Sequence, residues 1–389
     1  METVYLDNSA TTELCAEAKK KMSEAMEIYG NPSSLHAAGD EARKLLSSAR
    51  AAVAKTLGIR AVKEDQLIFT SCGSEANNLA LLGVAQARSS HSSRTVITTD
   101  SEHPSVENCM KYLEEQGFSV VRISTHGGAL DLEQLQKVLK TEKPFLVSMM
   151  MVNNETGAVY DVKTAFAHAK SANPACITHC DAVQGYLKRV FTPMSIGADM
   201  VTVSAHKIHG PKGVGALYIN PDIIRAKKIK PFLLGGGQES GLRSGTENLI
   251  GICGFWAAAE ASYSTLAENI RRVEELRRYA AEKLAKIDVK VNRPVGEAVA
   301  NIISITLPSI KSQTMLSELS SRGICVSNGS ACSSHSKKVS SVLLSFGLSE
   351  DEADCTIRIS LSEFNRKEDI DALSTGLSEG IARLVRIRR

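Results

Sequence analysis

The sequence predicts an α/β fold, a mostly parallel central sheet with flanking helices plus a smaller α+β C-terminal domain. Three observations carry this. Short apolar runs alternate steadily with stretches of helical periodicity, the pattern of βαβ units. Five of those runs, "QLIFT", "TVITT", "FLVSMMMV", "CITHC" and "MVTVS", are near-continuously apolar and bounded by turn chemistry, as strands covered on both faces are. After Trp256 the texture changes to a long charged helical stretch followed by two isolated strand patterns.

In chain order, "DEARKLLSSARAAVAKTLG" (40–58) keeps Ala42, Leu45, Leu46, Ala49, Val53 and Leu57 on one helical face, with Gly58 placed as a stop. The five strand runs follow. "STLAENIRRVEELRRYAAEKLAKI" (264–287) is the long charged helix, and "NIISITL" and "CTIRISL" are strands with helices between and after. A large domain over 13–256 and a smaller one built from 1–12 and 257–389 result.

The 389 residues suffice for two or three structural units, and 43% hydrophobic with 23% charged content is that of a folded soluble protein. A net charge of +3 from 46 basic and 43 acidic residues excludes strong electrostatic attraction to nucleic acid or membrane. The basic tail "RLVRIRR" (383–389) reads as a solvated helix end. Nine scattered cysteines without C-x-x-C spacing argue against a disulfide framework or zinc ribbon, and the amino terminus has no signal-peptide pattern. A reducing, cytoplasmic setting is expected. "CITHC" brings Cys176, His179 and Cys180 close in sequence, but strand alternation sends His179 and Cys180 to opposite faces, so no metal is expected.

Polar clusters follow the five strands: "SCGSEANN", "DSEH", "NNETG", "DAVQ" and "AHKIHGPKG". In an open parallel sheet ligands bind outside the carboxyl ends of the strands, so these clusters should converge. Gly73 and Ser74 stand where a helix begins, able either to cap it or to offer N–H groups to a phosphate. Ser204 and His206 add donors. The "GPKG" turn lacks nucleotide-loop spacing. Lys207, at a strand end inside a crevice, loses water around its ammonium and gains nucleophilic character toward an aldehyde; a lysine reaching out to the rim is the alternative. Asp181 ends the preceding strand. Amine, acid and anion cradle together are the parts that pyridoxal 5'-phosphate needs. His103 is then a flat ring able to stack on the pyridine and pass protons, while Asn154 and Gln184 can donate to its hydroxyl. Arg358, in "CTIRISL", either clamps a carboxylate or sits on a solvated sheet face. Cys332 lies in "VSNGSACSS", a Gly/Ser-rich run that cannot pack around a thiol as a core would.

The series "YLDNSATT", "GNPSSLH", "TSCGSEANNLA", "SEH", "VNNETG", "HCDAVQ", "SAHKIHGPKG", "GGGQESGLRSGT", "SNGSACSS" and "TIRISL" resembles the cysteine desulfurases, pyridoxal-phosphate enzymes of fold type I in the class V aminotransferase group. The resemblance runs through almost the whole chain. It implies that Lys207 holds the cofactor, Asp181 pairs with the pyridine nitrogen and His103 stacks on the ring. Gly73, Ser74, Ser204 and His206 would bind the phosphate. Thr246 is similar to the threonine that reaches the phosphate of a partner subunit, implying a homodimer with shared active sites. Arg358 would bind the carboxylate of L-cysteine, and Cys332 would be the nucleophile that takes the sulfur as a persulfide, leaving L-alanine. The loop "SSHSKKVSS" after Cys332 is similar to the longer-looped branch, which passes sulfur to scaffolds or carriers; the implied partner is a sulfur acceptor in iron–sulfur cluster assembly or in tRNA or cofactor thiolation. This chain ends at Arg389, soon after its last helix, where iron–sulfur members often carry a docking tail, so the acceptor stays open. Two other readings also stay open: a lyase or aminotransferase acting on another amino acid such as selenocysteine, and a cofactor-bearing scaffold without turnover.

Overall fold

The computed structural model describes residues 3–88, 93–329 and 339–387. Among them, seven strands form the central sheet in the spatial order Leu67–Thr70, Gly215–Ile219, Met200–Ser204, Ile177–Asp181, Leu146–Met150, Thr95–Thr99, Ser119–Ile123. From Met200–Ser204 outward to Ser119–Ile123 every neighbouring pair is parallel. Gly215–Ile219 runs antiparallel to both of its neighbours. That double reversal gives Leu67–Thr70 the same direction as Met200–Ser204. All five strands expected from the sequence therefore open their carboxyl ends along one edge.

Two strands of this sheet were not among those expected. Ser119–Ile123 is an edge strand and mostly half-buried, so "SVVRI" lacks a continuous apolar run; its Arg122 turns outward to pair with Glu107 and Glu114. Gly215–Ile219 starts with glycine directly behind the "GPKG" turn, which hides its strand pattern.

The helix expected over 40–58 spans Ala37–Thr56. It starts earlier because His36 Nδ1 accepts the Gly39 N–H at 3.3 Å. It stops where Gly58 takes a left-handed φ of 78° and its N–H bonds back to the Lys55 carbonyl at 2.9 Å. The long charged helix is Leu266–Leu284, and a separate apolar helix, Leu249–Ser264, precedes it. Trp256 lies inside that apolar helix, whose Ile252, Phe255 and Ala258 join the hydrophobic cluster beneath the central sheet.

A second, three-stranded antiparallel sheet combines Thr356–Ser360, Ile302–Thr306 and Lys290–Val291. Its cluster includes Ile303, Ile305, Ile357, Ile359 and Leu373 and takes in Leu6 from the amino terminus. Burying a side chain of this size stabilises by about 1.5–3 kcal/mol, so Leu6 holds the terminus against this sheet. Val4–Tyr5 also pairs in parallel with Ile324–Cys325, and Asp7 bridges to Ser360. These contacts bring residues 7–10 to the crevice at the strand ends. On the opposite flank, Arg50 and Glu239 form a buried two-pronged ion pair at 2.7 and 2.8 Å, and Glu239 accepts the Phe69 N–H at 2.7 Å. That tie anchors the "GGGQESGLRSGT" segment to the strand leading to Gly73.

Candidate active site

One cavity of about 170 Å³ opens at the carboxyl edge of the central sheet, and Gly73, Ser74, His103, Asn154, Asp181, Gln184, Ser204, His206, Lys207 and Arg358 all line it. Thr246 is exposed and does not line it. Cys332 lies outside the described residues.

The floor is the start of the helix Gly73–Gln86. Its N-cap is Cys72, not Ser74, and no side chain caps it, so the first-turn N–H groups face the cavity with their positive dipole end free. A methyl group on Gly73 would lie 3.0 Å from Val183 Cγ2 and 3.5 Å from Ser204 Cβ, so only glycine leaves this corner open. Ser204 Oγ is buried beside it without a partner among the described residues. An unpaired buried hydroxyl is costly unless a ligand completes it. These features fit the phosphate of pyridoxal phosphate.

Asp181 stands at the end of its strand. Its Oδ2 accepts from Asn77 Nδ2 at 2.8 Å and its Oδ1 from the Val183 N–H at 3.0 Å, which holds the carboxylate in one orientation. Asn77 is a site residue that sequence reasoning missed; it lies on the cavity face of the helix one turn beyond Gly73, inside the quoted "SCGSEANN". Lys207 ends a single helical turn after strand Met200–Ser204, and its Nζ donates to the carbonyls of Ser9 at 2.6 Å and Ala10 at 2.7 Å. It points inward, not to the rim. Amine, acid and anion cradle thus share one wall-to-wall space suited to the cofactor.

His103 is the N-cap of helix Pro104–Glu115; its Nδ1 accepts the Ser105 N–H at 3.1 Å, which leaves the ring proton on Nε2. Burial, reinforced by Lys207 and opposed by Asp181, holds its pKa below the ordinary value, so the ring is neutral. Burial and the neighbouring lysines push His206 down to about 3, and its Nδ1 lies 3.2 Å from Thr11 Oγ1. His206 acts as a neutral hydrogen-bonding group.

Arg358 is 2% exposed and not on a solvated face. One amine end donates to the Asn154 carbonyl at 2.9 Å and the other to Asp7 Oδ1 at 2.8 Å, while Nε is buried without a partner among the described residues. Asp7 is the second residue missed; it was quoted within "YLDNSATT", but nothing near it in sequence signals an arginine 351 positions away. In "CITHC", His179 bonds to Ser148 and Thr202 hydroxyls at 2.9 and 3.0 Å, and the described residues contain no cluster able to hold a metal.

Beneath the site, Glu102 is buried. Its Oε1 accepts from Thr99 Oγ1 at 2.6 Å and the Met150 N–H at 2.9 Å, and burial, with Asp181 and Glu107 adding repulsion, pushes it up from 4.5 to about 8. Between those values the folded protein keeps a proton that the unfolded chain has released, so this group's contribution to stability falls as pH rises through that window. Glu102→Gln, which copies the protonated acid, will raise the thermal midpoint relative to the parent above about pH 8 and leave it unchanged near pH 4.5. Melting curves across that range check this; a constant difference at all pH values would refute it.

The sequence model described as "Aminotransferase class-V" matches residues 4–373. The chain belongs to this family. Among relatives, a cysteine desulfurase of Trichormus azollae is 39% identical over 388 residues, 99% of this chain and 94% of that protein. The cysteine desulfurase IscS of Dictyoglomus turgidum is 37% identical over 372 residues, covering 95% and 92%. Among solved structures, a NifS-like protein superposes with a TM-score of 0.90 at 36% identity, over 98% of this chain and all of the other. SspA in complex with cysteine gives 0.79 at 29% identity, over 93% and 99%. Membership in the class-V aminotransferases makes this chain a pyridoxal-phosphate enzyme, as the cradle, the acid and the lysine require.

Proposed function

We propose that this enzyme, by family a pyridoxal-phosphate-dependent cysteine desulfurase, converts L-cysteine to L-alanine and takes the sulfur onto Cys332 as a persulfide. The observation that carries the reading is the meeting of Lys207, Asp181, Arg358 and the uncapped helix start at Gly73 around one cavity. SspA, a relative with the same fold, is solved with cysteine bound, which supports the substrate.

Bound pyridoxal phosphate supplies an aldehyde for amines and a ring that takes up electrons from the substrate's α-carbon. Gly73, Ser74, Ser204 and His206 would hold its phosphate, Asp181 would pair with its ring nitrogen, and Gln184 and Asn154 would donate to its hydroxyl. His103 would stack on the ring. Lys207 would hold the aldehyde through Nζ, and the same Nζ would take up and return the substrate's α-proton. Arg358 orients the substrate through its carboxylate, with the unpartnered Nε as the open donor. The thiolate of Cys332 would attack the substrate sulfur; the S–S bond forms as the C–S bond breaks with its electron pair going to the β-carbon, and a proton on the β-carbon together with the return of the α-proton from Lys207 Nζ completes alanine.

Both stems of the loop that carries Cys332 end beside the site. Gly329 lies against the Glu155 carboxylate, which also accepts from Ser340 Oγ at 2.6 Å, and Glu155 adjoins Asn154. Cys332 follows Gly329 by three residues in the sequence.

A homodimer belongs to the same proposal. Thr246, exposed at the end of the segment tied down by Arg50 and Glu239, reaches the phosphate of a second copy. So does the division into a cofactor-holding domain, 13–256, and a smaller domain, 1–12 with 257–389: the two sheets have separate hydrophobic clusters, while the helix Leu249–Ser264 runs across the boundary and packs Ala258 with the central sheet. The persulfide passes to a sulfur-accepting protein of iron–sulfur assembly or thiolation in the cytoplasm. No described helix is long and apolar enough to cross a membrane.

Mixing the cofactor-loaded protein with L-cysteine in the absence of reductant tests the reading. Alanine and a single added sulfur atom on the Cys332 peptide should appear together by mass spectrometry. Alanine release with that peptide unmodified, or no alanine at all, refutes it. Arg358→Met should lower kcat/KM for L-cysteine by roughly 30- to 3,000-fold, the equivalent of about 2–5 kcal/mol for removing one side of a buried charge pair. An unchanged kcat/KM would remove Arg358 from substrate binding.

A further inference from the structure

Gln184 and Lys188 lie four residues apart on the irregular turns that follow strand Ile177–Asp181, and their side chains meet there. Lys188 Nζ donates to Gln184 Oε1 at 2.9 Å, and Gln184 Nε2 donates to the Ser9 carbonyl at 2.9 Å. The two contacts settle which way the amide points. A flipped amide would set its oxygen against the Ser9 carbonyl and its NH2 against the lysine head, two repulsive contacts in place of two bonds. Burial, with repulsion from Lys207, lowers Lys188 to about 7; as ammonium or as amine it keeps hydrogens to give the oxygen.

Ser9 is a shared anchor, because Lys207 Nζ takes the same carbonyl at 2.6 Å. Lys188 is the partner that belongs to Gln184. Its head sits behind the site, in a small second cavity that also includes His209, Glu363 and the far side of Lys207. Gln184 itself is 5% exposed and lines the cofactor cavity. With its oxygen committed to Lys188, the amide has only N–H to offer that cavity, and a donor on the oxygen polarises the group and strengthens those N–H donors.

We infer that Lys188 is a positioning residue: it locks the Gln184 amide with nitrogen toward the cofactor cavity, so that the ring hydroxyl of the bound cofactor is met by a donor and held as its anion. The inference rests on the proposed placement of pyridoxal phosphate, since it gives Gln184 its partner. It adds a residue that does not touch cofactor or substrate.

The test uses the cofactor-loaded parent and Lys188→Arg, Lys188→Gln and Lys188→Met. Arginine keeps a donor-only head, glutamine fills the space without that constraint, and methionine removes the hydrogen bond. The readout is the absorption spectrum, in which the ionised ring oxygen favours the yellow, visible band and the neutral one the near-ultraviolet band. Lys188→Arg should match the parent; Lys188→Gln should move part of the visible band to the near ultraviolet, and Lys188→Met more of it. Thermal melting identifies a misfolded variant, and if Lys188→Met misfolds, the Arg against Gln comparison decides. Variants that fold, bind cofactor and all keep the parental spectrum overturn this inference alone. A parent protein that shows no cofactor band overturns both it and the reading beneath it.

Discussion

Lys207→Ala is expected to form alanine from L-cysteine at least about 10³-fold more slowly than the parent, within the range of roughly 10²–10⁴ for loss of proton transfer alone. The covalent anchoring role adds to that loss. Among the described residues no other lysine lines the cavity: Nζ is delivered to the cavity wall by the turn Ala205–Lys207 and held on the carbonyls of Ser9 and Ala10. Lys188, the next lysine behind it, is committed to Gln184 and lines the rear cavity. Quantified alanine under saturating L-cysteine is the measurement. Because the phosphate cradle and Asp181 remain, the variant should still retain cofactor, now without the spectral signature of its covalent link. Activity within tenfold of the parent would refute the assignment of Lys207 as anchor and base.

Cys332→Ser should abolish sulfur transfer by a different route. Exchanging thiolate for hydroxyl removes the atom that attacks sulfur, and losses on the order of 10³-fold or more accompany removal of a covalent nucleophile. The distinguishing feature is what survives. Arg358, Lys207 and Asp181 are untouched, so L-cysteine should still bind and still shift the absorption of the loaded protein, while alanine and persulfide fail to accumulate. The residues flanking the segment that carries Cys332 argue for this separation: Gly329 and Ser340 meet at Glu155, which does not itself line the cofactor cavity. Sulfide release at the parental rate would show that another group takes the sulfur. Loss of substrate binding together with turnover would show that the thiol helps to build the site itself.

The strands and the polar groups at their ends were legible for a physical reason. A parallel strand buried on both faces must be nearly all apolar, so "TVITT" and "MVTVS" match Thr95–Thr99 and Met200–Ser204 residue for residue. The polar residues directly after such strands can only fall in the crevice at the sheet edge, which is how Asp181, His103 and Lys207 could be grouped before any coordinates. The edge strand Ser119–Ile123 escaped because half-burial removes the apolar signal.

Partnerships across long separations were decided by tertiary structure. That Asp7 balances Arg358, that Asn77 orients Asp181 and that Ser9 and Ala10 seat Lys207 depend on the amino terminus docking through Leu6 and the Val4–Tyr5 pairing. For the cradle at Gly73, the deciding step is the double reversal at Gly215–Ile219, which turns that helix start toward the same edge as Lys207. The sequence by itself determined which chemical groups this protein carries and on which kind of element, because local periodicity and strand-end chemistry are written in neighbouring residues. Which groups touch, and therefore which amide, carboxylate or guanidinium is free to meet a ligand, came only from packing, because hydrogen-bond geometry is settled by residues hundreds of positions apart.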